Sequence, residues 1–181
     1  VALRERAPQL RHFLAMGNGG IGINIVEAGL AYEPKALAAK AVDPGDLFRI
    51  AYSGGTTGKP KGIMCSHQSA TTSALIQMME WEWPDRIRHL ICAPLSHSGA
   101  AVLTSVLSRG GYMVVMPGFD PVETMKAIEQ HRITSVLMVP TMVIAMLDHP
   151  RFGEFDLSSL EVVFYGASAF PAARLKQAIE K

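Results

Sequence analysis

Glycine, threonine and lysine crowd one short stretch of the chain, Ser53-Gly54-Gly55-Thr56-Thr57-Gly58-Lys59-Pro60-Lys61-Gly62. Those ten residues hold four glycines, two threonines, two lysines and a serine, and no acid. Glycines carry no Cβ, so backbone N–H groups can approach an anion and point at it. Hydroxyls add donors, and lysines supply positive charge for polyphosphate oxygens. The chemistry this set suits is phosphate binding. The bland alternative is a Gly/Thr surface loop that binds nothing.

The spacing argues against a Walker loop, which needs G-x-x-x-x-G-K-[ST]. Gly58-Lys59 is followed by Pro60, and the position five before Gly58 is Ser53. Pro60 biases Lys59 away from helix, and no hydroxyl follows the lysine to reach a metal. A second glycine pattern, Gly17-Asn18-Gly19-Gly20-Ile21-Gly22, satisfies G-x-G-x-x-G. A dinucleotide site also needs a helix to open within the motif. Ile23-Asn24-Ile25-Val26, with Gly29 and Pro34 beyond, reads as poor helix sequence. A connecting loop is the plainer reading of 17–22.

The phosphate-type loop follows Leu47 to Tyr52, which reads as a buried strand, and a helix is expected to start near Ser66. The intervening loop would thus join strand to helix, the usual setting of an anion site. Upstream, residues 1–46 are the least regular part, with a strand expected near 11–16 and a short helix near Pro34–Lys40. Asp43-Pro44-Gly45-Asp46 is turn chemistry. Downstream the chain alternates. Ser66 caps a helix over 66–82, and a strand covers 86–92. A small-residue helix over 97–108 stops at Gly110-Gly111, and a strand covers 112–116. Asp120, Pro121 and Glu123 together open a helix that ends near His131-Arg132. A strand over 133–139 is followed by a helix from Pro140 to Asp148. Strand 160–165 and a helix from Pro171 close the series. Alternation of this kind predicts an α/β fold with a mostly parallel sheet and flanking helices.

Bulk properties narrow the function further. The chain has 181 residues, is 49% hydrophobic and 18% charged, and carries a net charge of +1. It should be globular, with no electrostatic reason to expect nucleic acid or an anionic membrane as partner. No run of about 18 apolar residues predicts a transmembrane segment. The two cysteines, Cys65 and Cys92, form no framework and fit a reducing, cytoplasmic setting. Both read as small buried hydrophobes rather than nucleophiles. His12, His67, His89, His131 and His149 show no metal-ligand spacing, so no metal residue is nominated. Trp81 and Trp83 read as a buried helix flank. The missing initiating Met and the uncapped C-terminal helix suggest an excised piece.

Tyr52-Ser-Gly-Gly-Thr-Thr-Gly-Lys-Pro-Lys-Gly62 resembles, nearly residue for residue, the phosphate loop of the adenylate-forming superfamily. That superfamily includes acyl-CoA synthetases, peptide-synthetase adenylation domains and luciferases. Gly54 stands where Ser is more usual. Two further strand ends resemble the family. Ala93-Pro94-Leu95-Ser96-His97-Ser98-Gly99 is similar to its Pro-Leu-x-His segment. Tyr165-Gly166-Ala167-Ser168-Ala169-Phe170-Pro171 is similar to its Gly-Gly-Ala-type adenine loop, with Tyr165 in place of the first glycine. On this resemblance Ser53, Gly54, Gly55, Thr56, Thr57, Gly58 and Lys59 would bind the β- and γ-phosphates, with Lys61 adding charge. Gly166, Ala167 and Ser168 would sit by the adenine. His97 would be the catalytic-site group that positions the acyl carboxylate; the alternative is a histidine capping the next helix. Val139-Pro140-Thr141 would line an acyl tunnel, although the apolar helix after it is equally explained as core.

What the resemblance implies is a partial N-terminal domain of an acid:CoA ligase. Residues 1–46 would be an irregular lead-in and 47–181 an α/β AMP-binding subdomain, without the small C-terminal lid domain. The expected partners are a fatty or aryl carboxylic acid, ATP with Mg2+, and coenzyme A as co-substrate. The family's magnesium-binding Glu, its ribose-binding Asp and its hinge Arg and lid Lys have no counterparts here, so the chain by itself is expected to lack turnover. An amino-acid adenylation domain is the first alternative. It is disfavoured because Asp120 reads as a cap and Asp148 as a helix end, leaving no partner for a substrate amine. A dinucleotide-binding oxidoreductase using Gly17–Gly22 is the alternative of a different class, and a noncatalytic scaffold is the third.

Overall fold

Residues 88–165 build one parallel sheet, because each of its strands is too short and too apolar to be left without helices on its faces. The computed structural model describes residues 5–6, 8–9, 11–16, 22–33, 35–36, 41–53 and 60–181, with Ser53 described by its backbone only. The chain divides into two compact units, Val1–Ala41 and Val42–Lys181.

In the first unit, β1 (Leu14–Ala15) pairs in parallel with β2 (Ile23–Asn24), and α1 (Ile25–Leu30) follows. This helix departs from the sequence reading. Asn24 caps it by accepting from the Val26 N–H at 3.1 Å, and that local bond outweighs the weak helix propensity of Ile25 and Val26. The strand expected over 11–16 shrinks to two residues. Of the helix expected over Pro34–Lys40, Pro34 and residues 37–40 lie outside the described residues.

The second unit begins with an antiparallel ribbon of β3 (Leu47–Ser53) and β4 (Lys61–Ser66), then α2 (His67–Glu80). Two expectations are corrected here. The loop after Ser53 joins strand to strand, with β4 standing between it and the helix. Strand β3 is also not buried: Leu47, Phe48, Ile50 and Tyr52 are at least 48% exposed. A two-stranded ribbon has a single layer, and α2 covers little of it. The Ser66 cap is as expected, its hydroxyl accepting from the Ser69 N–H at 3.2 Å.

The sheet itself comprises β5 (Arg88–Ile91), β6 (Tyr112–Val115), β7 (Ser135–Met138) and β8 (Val162–Tyr165), in the order β6-β5-β7-β8 and all parallel. Helices α3 (Leu103–Ser108), α4 (Pro121–His131) and α5 (Pro140–Leu147) connect them, and α6 (Ala172–Glu180) follows. Alternate side chains go to opposite faces. Leu90, Cys92, Val136 and Met138 join Met125 and Ile128 of α4 and Met146 of α5 in one core. Ile87 joins Val102 and Val106 beneath α3, with Trp81, Trp83, Met113 and Leu137 against them. Trp81 and Trp83 therefore are the packed flank the sequence suggested, and both rings lie 4.8 Å from the Phe164 ring. Helix α4 starts as expected, Asp120 accepting from the Glu123 N–H at 2.9 Å. The expected 97–108 helix is split into a 3-10 turn, Ser98–Ala100, and α3.

Candidate functional site

The order β6-β5-β7-β8 fixes where a ligand belongs. From β5 the chain crosses to β6 on one side, and from β7 to β8 on the other. Neighbouring strands whose connections diverge leave a crevice beyond their carboxyl ends, the topological switch point of an open α/β sheet. The segment carrying His97 leaves β5 at this crevice, and Val139-Pro140 leaves β7. Gly166–Ser168 leaves β8, two strand spacings from β5, or about 10 Å. Thus three of the four strand ends singled out in the sequence share one edge of one sheet. The fourth, the end of β3, belongs to the ribbon instead.

After β5 the chain turns sharply. Cys92 and Ala93 are buried, whereas Pro94, Leu95, Ser96 and His97 are exposed. The Pro94 carbonyl accepts two bonds, from the His97 and Gly99 N–H groups, each 3.0 Å. His97 occupies the N-cap position of the 3-10 turn, but its side chain makes no capping bond. Capping therefore does not explain the imidazole, which is left facing solvent. Gly99, hidden within the small-residue run, is a feature the sequence reading missed. At the far strand end, Gly166 has open space where a Cβ would stand. Ala167 adopts a left-handed φ of 69°, a conformation costing roughly 1–2 kcal/mol for a residue with a Cβ. Ser168 is exposed, and the rings of Tyr165 and Phe170 meet edge-on at 5.2 Å.

Of the phosphate-type loop, residues 54–59 (Gly54, Gly55, Thr56, Thr57, Gly58 and Lys59) lie outside the described residues. The ends that carry it are described. Ser53 and Lys61 face one another across the ribbon as register partners. Lys61 is exposed, and Gly62 beside it lies so close to Ile50 that a Cβ would come within 2.9 Å of its Cγ2. Because β4 and not a helix follows this loop, anion binding here would draw on loop N–H groups and lysine charge rather than a helix terminus.

Three other titratable groups have structural explanations. His89 is 1% exposed, and its Nδ1 shares a 2.9 Å hydrogen bond with the Ser135 hydroxyl. Burial pushes its pKa down to about 4. Burial likewise raises the Cys92 thiol to about 11. Cys65 is not the buried hydrophobe expected: it is half-exposed, 3.1 Å from the Ser69 hydroxyl, which with Arg49 lowers its pKa. An open groove of about 500 Å³ runs between the end of β6 and α4, bordered by Met116, Glu123, Lys126 and His131. It includes none of the nominated residues.

Comparison with known proteins agrees with the geometry. The family described as "AMP-binding enzyme" matches residues 8–181. The medium/long-chain-fatty-acid–CoA ligase FadD8 of Mycobacterium tuberculosis is 42% identical over 186 aligned residues, covering all of this chain and 33% of that protein. A feruloyl-CoA synthase of an Amycolatopsis species is 37% identical over 129 residues, covering 70% of this chain and 26% of that protein. Among solved structures, the amide bond synthetase McbA of Marinactinospora thermotolerans superposes with a TM-score of 0.82 at 28% identity, covering 99% of this chain and 35% of that one. The chain thus spans about a third of the length of the relatives it matches.

Proposed function

The chain belongs to the AMP-binding enzyme family, and from that premise we propose that the full-length protein is an AMP-forming acid:CoA ligase. It would join a fatty or aryl carboxylate to the α-phosphate of ATP, releasing pyrophosphate, and pass the acyl group from the adenylate to the thiol of coenzyme A, releasing AMP. The observation that carries this reading is the crevice between β5 and β7, with the His97 turn on one side and the Gly166–Ser168 loop beyond.

Each group has a role its chemistry suits. Ser53 to Lys59 and Lys61 offer donors and positive charge to the β- and γ-phosphates, favouring departure of pyrophosphate. Gly166, without a Cβ, lets a flat adenine ring lie against its backbone, with Ala167 and Ser168 alongside. His97, exposed beside the crevice, holds the acyl carboxylate in line for attack on the α-phosphate. Magnesium, which the family resemblance implies, finds no set of three His, Cys, Asp or Glu side chains among the described residues to hold it. The acyl preference between fatty and aryl is open to either class, since FadD8 is named for fatty acids and the feruloyl-CoA synthase for an aryl acid. A cytoplasmic setting fits two cysteines that are both free thiols.

Acid-dependent ATP–pyrophosphate exchange by the full-length protein, across a panel of fatty, aryl and amino acids, tests the reading. Exchange with fatty or aryl acids, followed by AMP release that requires coenzyme A, is the expected result. Exchange with amino acids alone would move the protein to the peptide-synthetase branch.

A further inference from the structure

We infer that Gly99 is a positioning residue for His97. The inference rests on the acyl-site reading above and deepens it. A Cβ at Gly99 would stand 2.4 Å from the Ala93 carbonyl oxygen, 2.9 Å from the Pro94 carbonyl oxygen and 2.9 Å from Ile91 Cγ2. Two of those three neighbours are backbone, so no rotamer change relieves the contact. Gly99 is itself buried, and its φ is not left-handed, so what demands glycine is close approach rather than backbone conformation.

That close approach is what folds the turn. With Gly99 pressed onto the end of β5, its N–H reaches the Pro94 carbonyl at 3.0 Å, beside the His97 N–H on the same oxygen. The backbone of His97 is therefore tied to the same acceptor as Gly99, and that acceptor, the Pro94 carbonyl, follows Ala93 at the end of the sheet. Neither Ser96 nor Ser98 contributes a side-chain bond to this clamp among the described hydrogen bonds. An ordinary contact in place of the 2.4 Å one requires the turn to part from Ala93 by about 1 Å. His97 lies on the part that moves. A displacement of that size at a group aligning reactants lowers turnover by between about 10-fold and 100-fold.

The experiment is a double-mutant cycle in the full-length protein, read by acid-dependent pyrophosphate exchange. Gly99→Ala is expected to lower kcat by at least about 10-fold while the KM for ATP stays within about 2-fold. His97→Ala is expected to lower kcat, and adding Gly99→Ala to it should cost no more than about a further 2-fold. Ser98→Gly loosens the same turn without adding an atom. It should lower kcat about 2- to 5-fold in wild type and not in the His97→Ala background. This second variant decides the matter should Gly99→Ala not fold. Equal losses in both backgrounds would overturn the inference while leaving the functional reading intact, as would a Gly99→Ala enzyme with wild-type kcat. A wild-type protein with no exchange for any acid would overturn both.

Discussion

Leu90 and Ile50 are both aliphatic residues inside a strand, yet Leu90 is fully buried and Ile50 keeps 48% of its surface. The difference lies in what each strand brings with it. Strand β5 is flanked by two parallel neighbours, and the connections of its sheet lay α3 on one face and α4 and α5 on the other. Strand β3 has one antiparallel partner, β4, and among the described residues no helix comes between the two in the chain. Ile63 and Met64 on β4 are accordingly 57% and 76% exposed. A βαβ unit carries its own cover, whereas a hairpin must find cover elsewhere. The contrast bears on function, because the His97 and Gly166 loops spring from the self-supporting sheet and the phosphate-type loop from the thinly covered ribbon.

The largest effect expected from this contrast is on stability. In the 181-residue chain, Leu90→Ala should cost about 2–5 kcal/mol, since it opens a cavity among Met125, Ile128 and Val136. Ile50→Ala, on a half-exposed face, should cost below about 1 kcal/mol. Urea unfolding of the two variants measures both. Equal costs would mean that the ribbon is packed as tightly as the sheet, and the contrast would fall.

Next in size is a pH effect confined to the sheet. His89 is held neutral in the fold, with its pKa depressed from 6.5 to about 4. A proton taken up by the unfolded chain and refused by the folded one favours unfolding. The stability tied to neutral His89 is therefore full above pH 6.5 and is lost as pH falls from 6.5 toward 4. Its size is about 3 kcal/mol from the shift. Subtracting the pH–stability curve of His89→Gln from that of the wild-type chain isolates it. Parallel curves between pH 4 and 7 would show that the imidazole titrates as freely as on the surface.

What could be read beforehand follows the same division. Helix α4 was legible because its signals are local: Asp120, Pro121 and Glu123 sit within four residues of one another. Helix α1 escaped for a local reason too, since one Asn24 bond reverses the propensity of Ile25 and Val26. Strand β4 was not legible, because Lys61-Gly62-Ile63-Met64-Cys65-Ser66 has a single β-branched residue. It becomes a strand only through its pairing with Leu47–Ser53. In the site, the loops at 93–99 and 165–168 could be found as strand ends. That β5 and β7 are neighbours could not, because alternation reveals strands but not their order. The tight seat of Gly99 depends on the position of the Ala93 carbonyl, which no residue pattern encodes.

The two cysteines turn the contrast into a rate. Cys65, on the ribbon, is half-exposed and its thiol is drawn below its ordinary pKa, first by the Ser69 hydroxyl and then by Arg49. Cys92, just past the end of β5, is 1% exposed and pushed up to about 11 by burial. The thiolate is the reacting species, so at pH 8 ionisation favours Cys65 over Cys92, and access adds to this. Iodoacetamide labelling followed by peptide mass spectrometry resolves the two rates, with Cys92 expected to react only as the chain unfolds. Adding Leu90→Ala sharpens the test. Loosening the core that Leu90 shares with Cys92 should speed labelling of Cys92 and leave Cys65 unchanged. Acceleration of both thiols together would mean that the ribbon and the sheet open as one unit, and that the difference between them is one of exposure and not of stability.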